Sequence, residues 1–113
     1  MSRKVLVVDD NPLVLLMASS MLAELGCDVD MAADAEEALE KLAELPVEIL
    51  ITDINMPGMD GYQLADAALK IHENLKVIVL SGKETDGRGF PLVRKPFSRE
   101  DLKRTMSQNT GLC

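Results

Sequence analysis

Short, unbroken runs of apolar residues that stop abruptly at polar ones constrain this chain more than any other feature. Val5-Leu6-Val7-Val8 ends at Asp9-Asp10-Asn11, Ile49-Leu50-Ile51-Thr52 at Asp53, and Val77-Ile78-Val79-Leu80 at Ser81-Gly82. Continuous β-branched and leucine runs, without the alternation of a half-solvated strand, predict strands covered on both faces, which is how parallel strands are packed. A weaker strand is expected over Val29 to Ala32 and a short final one over Leu92-Val93-Arg94.

The stretches between these runs carry helical spacing. Val14, Met17, Ala18, Met21, Leu22 and Leu25 predict the core stripe of a first helix, capped by Asn11, with Pro12 at its first position and Gly26 closing it; Leu15 and Leu16 then face outward. Asp34 with Glu37 resembles a capping box opening a second helix that carries Ala38, Leu39 and Leu42. A third helix begins near Asp60-Gly61 and carries Leu64, Ala65, Ala68 and Leu69, and Ser98 with Asp101 opens a last one through Leu102 and Met106. Strand alternating with helix predicts an α/β sheet with helices on both faces and right-handed crossovers. No Ser/Gly-rich linker, repeat or low-complexity segment interrupts the 113 residues, so residues 1–113 are expected to form one domain.

Charge and residue usage exclude several classes. With 12 basic and 19 acidic residues the formal charge is -7, and the basic clusters are confined to Arg94-Lys95 and Lys103-Arg104, so direct nucleic-acid binding is disfavoured. No apolar run approaches the roughly 18 residues that span a bilayer, and no membrane association is expected. Cys27 and Cys113 are too few for a disulfide scaffold and no signal segment follows Met1, which points to a reducing cytoplasm. The single histidine, His72, and the two cysteines lack zinc-site spacing, so any metal must be held by carboxylates. Cys27, Cys113 and His72 read as structural, and Met17, Met21 and Met31 as core.

The chemistry-bearing residues share one property. Asp9-Asp10, Asp53, Ser81-Gly82 and Lys95-Pro96 each stand at the carboxyl end of an expected strand, where open α/β sheets bind their ligands. Each also has a plain structural use: Asp9-Asp10-Asn11 as a helix cap, Asp53 as the start of a turn leading to Pro57-Gly58, Ser81 and Lys95 as loop polar groups. The joint placement favours a site. Converging carboxylates repel one another, and a hard divalent cation such as Mg²⁺, which takes a few oxygens and keeps several waters, relieves that repulsion.

Val-Leu-Val-Val-Asp-Asp-Asn, Thr-Asp-Ile-Asn-Met-Pro-Gly-Met-Asp-Gly and Arg-Lys-Pro-Phe, in that order and over nearly the whole chain, resemble the receiver domain of two-component response regulators. The resemblance implies a flavodoxin-like, doubly wound five-stranded parallel sheet of order 2-1-3-4-5, for which a chemotaxis receiver is a standing example. It also implies a phosphoacceptor signalling domain of a phosphorelay, not an enzyme in the ordinary sense, although able to catalyse its own phosphoryl transfer and dephosphorylation. Asp53 would take a phosphoryl group from a histidine kinase or histidine phosphotransferase. Asp10, Asp53 and the backbone carbonyl of Asn55 would ligate Mg²⁺, Asp9 would act through a bound water, and Lys95 and Ser81 would hold phosphoryl oxygens. A Lys95-Pro96 peptide in the cis form, output to a downstream protein, and a monomer or weak dimer belong to the same expectation.

Two departures qualify the likeness. Ser81 and Lys95 are 14 positions apart, and Gly82, Gly87, Gly89 and Pro91 break the interval, so the fourth helix is expected to be shortened or replaced by a loop. Three positions before Lys95, where the family often has an aromatic switch, this chain has Leu92, with Phe90 nearby. The shortened segment resembles receivers attached to hybrid histidine kinases. Two rival readings are weaker. A phosphatase-like enzyme with an Asp nucleophile usually has a second acid two residues on, where this chain has Asn55. A flavodoxin-like cofactor binder would set a phosphate against Asp9-Asp10, which would repel it.

Overall fold

The apolar runs are buried because helices cover the sheet on both sides. In the computed structural model, which describes residues 3–83 and 85–111, the chain forms β1 (Lys4–Val8), α1 (Pro12–Glu24), β2 (Asp28–Ala32), α2 (Ala35–Glu44), β3 (Ile49–Asp53), α3 (Gly61–Ile71), β4 (Lys76–Ser81), β5 (Leu92–Arg94) and α4 (Arg99–Asn109). The expectations for Met1 and Cys113 lie outside the described residues. All strand pairs are parallel and the order is β2-β1-β3-β4-β5, the doubly wound topology expected.

Alternation along each strand divides the core. Leu6, Val8, Leu50, Val77 and Val79 pack with Ala38, Leu42, Leu64, Ala65 and Ala68 of α2 and α3. Val5, Val7, Ile49, Ile51, Ile78, Leu80 and Val93 pack on the other face with Ala18 and Leu22 of α1 and Leu102 and Met106 of α4. Between β4 and β5 the described residues form one 3-10 turn, Gly87–Gly89, and no α-helix. Phe90 and Leu92 lie partly buried against the α2 and α3 face there.

The helix starts follow the side-chain logic of the sequence with one difference. Asp60 with Gln63 and Ser98 with Asp101 form reciprocal capping boxes on α3 and α4. On α2 the Asp34 carboxylate accepts from Glu37 N, but the Glu37 side chain reaches one residue further back and accepts from Ala33 N at 2.8 Å.

The exposed face of α1 differs from the expectation. Leu15 is partly buried with Val14, Met21 and Leu25 against the core, whereas Met17, placed on the core stripe by its spacing, is 50% exposed. Leu13, Leu16 and Met17 are the large apolar side chains that α1 offers to solvent. Positions 13 to 17 are all apolar, so hydrophobicity alone does not choose the buried side; the fully buried Ala18 and Leu22 set it. Met31 is also exposed, on the outermost strand β2, and was expected in the core.

Candidate functional site

The β1 end separates two jobs that the sequence leaves open between adjacent residues. Asn11 Oδ1 caps α1, accepting from Leu13 N at 3.0 Å and Val14 N at 3.5 Å. The Asp pair is therefore not consumed by the cap. Asp9 Oδ1 accepts from Asn11 N at 2.9 Å, and the residue has no exposed surface, while Asp10 is exposed at the rim. A carboxylate this deeply buried is costly without a compensating charge.

Asp53 is the last residue of β3, in register with Leu80 of β4, and is 6% exposed. Immediately beyond it α3 starts hard against the Asp53 peptide. Gly61 N donates to Ile54 O at 2.8 Å, and a Cβ on residue 61 would fall 2.2 Å from Asp53 O. Glycine at 61 is thus required by a close approach that fixes the phosphoacceptor candidate's backbone.

Lys95 enters from the β5 end. Its N–H donates to Ser81 O at 2.8 Å, and the Lys95-Pro96 peptide is cis, as the family likeness implied. The ammonium lies 2.7 Å from Asp9 Oδ2 and 3.2 Å from Asp53 Oδ1. The shorter contact is the one to Asp9, whose carboxylate is fully buried. Carboxylate oxygens of Asp9, Asp10 and Asp53 all lie within 4.8 Å of one another. One ammonium against three carboxylates leaves two negative charges uncompensated, the charge of one divalent cation.

The electrostatics agree with that count. Burial and then the neighbouring Asp9 charge push the Asp53 carboxyl above its ordinary range, despite Lys95 and the Asn55 backbone N–H, which pull it down. Burial alone would lower the Lys95 ammonium, but its contacts with Asp9 and Asp53 outweigh this and hold it above the usual lysine value.

Asn55 and Ser81 complete the candidate set. Asn55 is exposed, one residue past Ile54 in the loop to α3. Ser81 is buried at the end of β4, and its hydroxyl is engaged by the following turn, donating to Lys83 O at 2.9 Å and accepting from Lys83 N at 3.0 Å. Beside it the sequence reading missed a contact: Tyr62 OH lies 3.1 Å from Thr85 Oγ1, and the Arg88 guanidinium sits over the Tyr62 ring at 4.2 Å. A helix touching a glycine-rich loop leaves no periodic signal. The one available cue was an isolated tyrosine directly after Gly61.

A groove of about 290 Å³ runs beside Lys95, lined by Val14, Met17, Lys95, Pro96 and Phe97. It runs from Met17 of α1 to Lys95 at the acidic cluster.

A parallel sheet of this order with an acidic cluster and a lysine at its carboxyl edge defines a signalling receiver. The chain belongs to the response regulator receiver domain family, whose profile matches residues 5–107. It is similar to Protein PilG of Pseudomonas aeruginosa, 38% identical over 110 residues, covering 88% of this chain and 81% of PilG. It is 45% identical over 112 residues to the Sensor protein EvgS of Escherichia coli K12, covering 92% of this chain but 9% of EvgS. Among solved structures, chemotaxis protein CheY4 of Vibrio cholerae superposes with a TM-score of 0.89 at 28% identity, over 96% of this chain and 99% of that one. The protein is a receiver domain of two-component signal transduction, and this family is a signalling one. No described helix is long and apolar enough to cross a membrane.

Proposed function

We propose that Asp53 is the residue phosphorylated in this receiver, by a histidine kinase or histidine phosphotransferase, and that Lys95 and Ser81 assist the transfer. One observation carries the reading: a nearly buried carboxylate at the carboxyl end of β3, with a lysine ammonium at 3.2 Å and two further carboxylates within 4.8 Å. A carboxylate oxygen of Asp53 forms the new P–O bond as the P–N bond of a phosphohistidine breaks and the imidazole leaves. Phosphoryl transfer asks mainly for in-line positioning and for cationic groups on the phosphoryl oxygens. Lys95 supplies a fixed ammonium, and the Ser81 hydroxyl supplies one donor.

Mg²⁺ fits the donor set. The hard carboxylates of Asp10 and Asp53 and the carbonyl of Asn55 would hold it, with Asp9 acting through water, and the three converging carboxylates with two uncompensated charges are what support it. When bound, the ion neutralises negative charge on the phosphoryl group. Residues 1–113 acting as one receiver domain, able to assist its own phosphorylation and dephosphorylation in the cytoplasm, complete the reading.

The kinase-side partner docks on α1 in this proposal. Leu13, Leu16 and Met17 and the adjoining groove form an apolar surface running up to Lys95, suited to a helical partner carrying the phosphohistidine. Output passes to a downstream protein from a monomer or weak dimer, without direct nucleic-acid contact.

Intact-mass measurement after incubation with acetyl phosphate and Mg²⁺ tests the site. The wild type gains one phosphoryl group and Asp53→Asn gains none, because an amide is a poor nucleophile. Undiminished labelling of the variant would move the acceptor elsewhere.

A further inference from the structure

We infer that Tyr62 is a positioning residue for Ser81. By holding the segment after β4 against α3, it governs how readily the Ser81 hydroxyl is released to a phosphoryl group on Asp53. The inference rests on the phosphoacceptor reading above.

A serine hydroxyl has one proton to donate. Here that proton goes to Lys83 O, while the same oxygen accepts from Lys83 N, so the side chain is tied twice to one residue two positions ahead. Donation to a phosphoryl oxygen gives up the bond to Lys83 O. The oxygen still accepts from Lys83 N, so any shift of the hydroxyl toward Asp53 draws on the turn at Lys83.

Tyr62 resists that movement. Its hydroxyl meets Thr85 Oγ1 at 3.1 Å, two residues beyond Lys83, and Thr85 Oγ1 in turn accepts from Gly87 N at 3.3 Å. The Arg88 guanidinium rests on the ring, a cation over an aromatic face. Arg88 is held at φ 49, a left-handed conformation that side-chain-bearing residues seldom adopt, and Asp86 Oδ1 accepts its N–H at 3.0 Å. The anchor is itself fixed. Tyr62 is 6% exposed and follows Gly61, whose backbone is pressed against Asp53.

The ring that contacts this segment therefore comes from α3. Leu92, where the family often has an aromatic, is aliphatic and offers no hydroxyl. Two arms leave the Asp53 end of the sheet, one through Ser81 to Lys83 and one through Gly61-Tyr62 to Thr85 and Arg88. The clamped segment favours the hydroxyl on Lys83; a phosphoryl group favours it on Asp53. Coupling of this kind is reciprocal, so weakening the clamp must strengthen binding of a phosphoryl mimic.

The test is calorimetric titration of beryllofluoride, in saturating Mg²⁺, into wild type, Tyr62→Phe and Thr85→Val. Tyr62→Phe keeps the ring beneath Arg88 and removes the hydroxyl; Thr85→Val removes the partner from the other side and keeps its shape. Each is expected to bind beryllofluoride about two- to tenfold more tightly, the worth of one ordinary hydrogen bond. The gain is expected to vanish when Ser81→Ala is present in both members of the comparison, because no hydroxyl is left to release. Equal affinities for wild type and both variants, or a gain that persists without the Ser81 hydroxyl, would overturn the role of Tyr62. Failure of the wild type to bind beryllofluoride would overturn the phosphoacceptor reading and this inference with it.

Discussion

Lys95 Nζ stands 2.7 Å from Asp9 Oδ2, a carboxylate without exposed surface. Before any cation or phosphoryl group arrives, this lysine is the positive charge closest to hand. Removing one partner of a buried pair leaves the other stranded. Lys95→Ala is expected to lower the stability of the metal-free protein by about 2–3 kcal/mol, toward the low end for a buried pair because the lysine side chain stays partly exposed. Urea unfolding in a chelator measures it, and adding Asp9→Ala should recover part of the loss. A double variant as unstable as the two single losses together would mean that the pair is not coupled.

Asp53 predicts a pH dependence of the opposite sense from an ordinary paired carboxylate. Burial and Asp9 raise its native pKa, so the native state binds the proton more tightly than the unfolded chain. Its contribution is most favourable below the unfolded carboxylate value of about 4 and is lost as pH rises through the native value. Without metal, Asp53→Asn should therefore raise Tm at pH 7, with the advantage shrinking as pH falls toward about 4. Thermal unfolding across that range in a chelator checks it; a variant less stable than wild type at pH 7 would contradict the electrostatic account.

Asp9 and Asp10 are adjacent, yet they are not equivalent toward a cation. Asp9 is engaged by Asn11 N and by Lys95, whereas Asp10 is exposed at the rim of the cluster. Asp10→Ala is expected to weaken Mg²⁺ binding by about tenfold or more, and Asp9→Ala by less. Calorimetric titration of Mg²⁺ decides, and equal losses would argue against Asp10 as the direct ligand.

Gly61 gives a purely steric prediction. A methyl group 2.2 Å from Asp53 O has a backbone atom, not a flexible side chain, in its way. Gly61→Ala should cost about 2–4 kcal/mol and displace Asp53, slowing labelling by acetyl phosphate. Labelling at the wild-type rate by a fully folded variant would show that the backbone relaxes without disturbing the carboxylate.

What the sequence made legible follows from where each signal resides. The strands were readable because residues such as Val5 to Val8 and Ile49 to Thr52 must be apolar on both sides of a doubly covered sheet. Asp9, Asp53, Ser81 and Lys95 stood out because polar residues at the ends of such runs have few structural duties there. Local chemistry also reads well: Ser98 and Asp101 are three residues apart and close their capping box without help from the rest of the fold. On α1 the stripe Val14, Ala18, Met21, Leu22 and Leu25 was legible, but Met17 and Leu15 were exchanged, since five consecutive apolar residues leave the edge of the stripe undefined. The Tyr62 to Thr85 contact was not legible, because it joins a helix to an aperiodic loop 23 residues away. Long-range contacts made by single side chains depend on the assembled fold and leave no spacing in the chain.

The corrected face of α1 yields the last prediction. Leu15 packs with the core beneath the helix, whereas Leu16 is 59% exposed and Met17, 50% exposed, lines the Lys95 groove. A charge at 15 is therefore buried in part, and one at 16 or 17 is solvated. Leu15→Glu should destabilise the domain by about 2 kcal/mol or more, while Leu16→Glu with Met17→Glu should leave urea unfolding nearly unchanged. If the kinase side docks on this face, the second variant should accept phosphate from acetyl phosphate at the wild-type rate but from a phosphorylated histidine kinase at least about tenfold more slowly, the loss expected when a central apolar contact is replaced by charge. The small-molecule donor needs the acidic site alone, whereas the protein donor needs the site and the surface beside it. Equal slowing with both donors would place the defect in the site, and no slowing with either would leave these side chains without a part in docking.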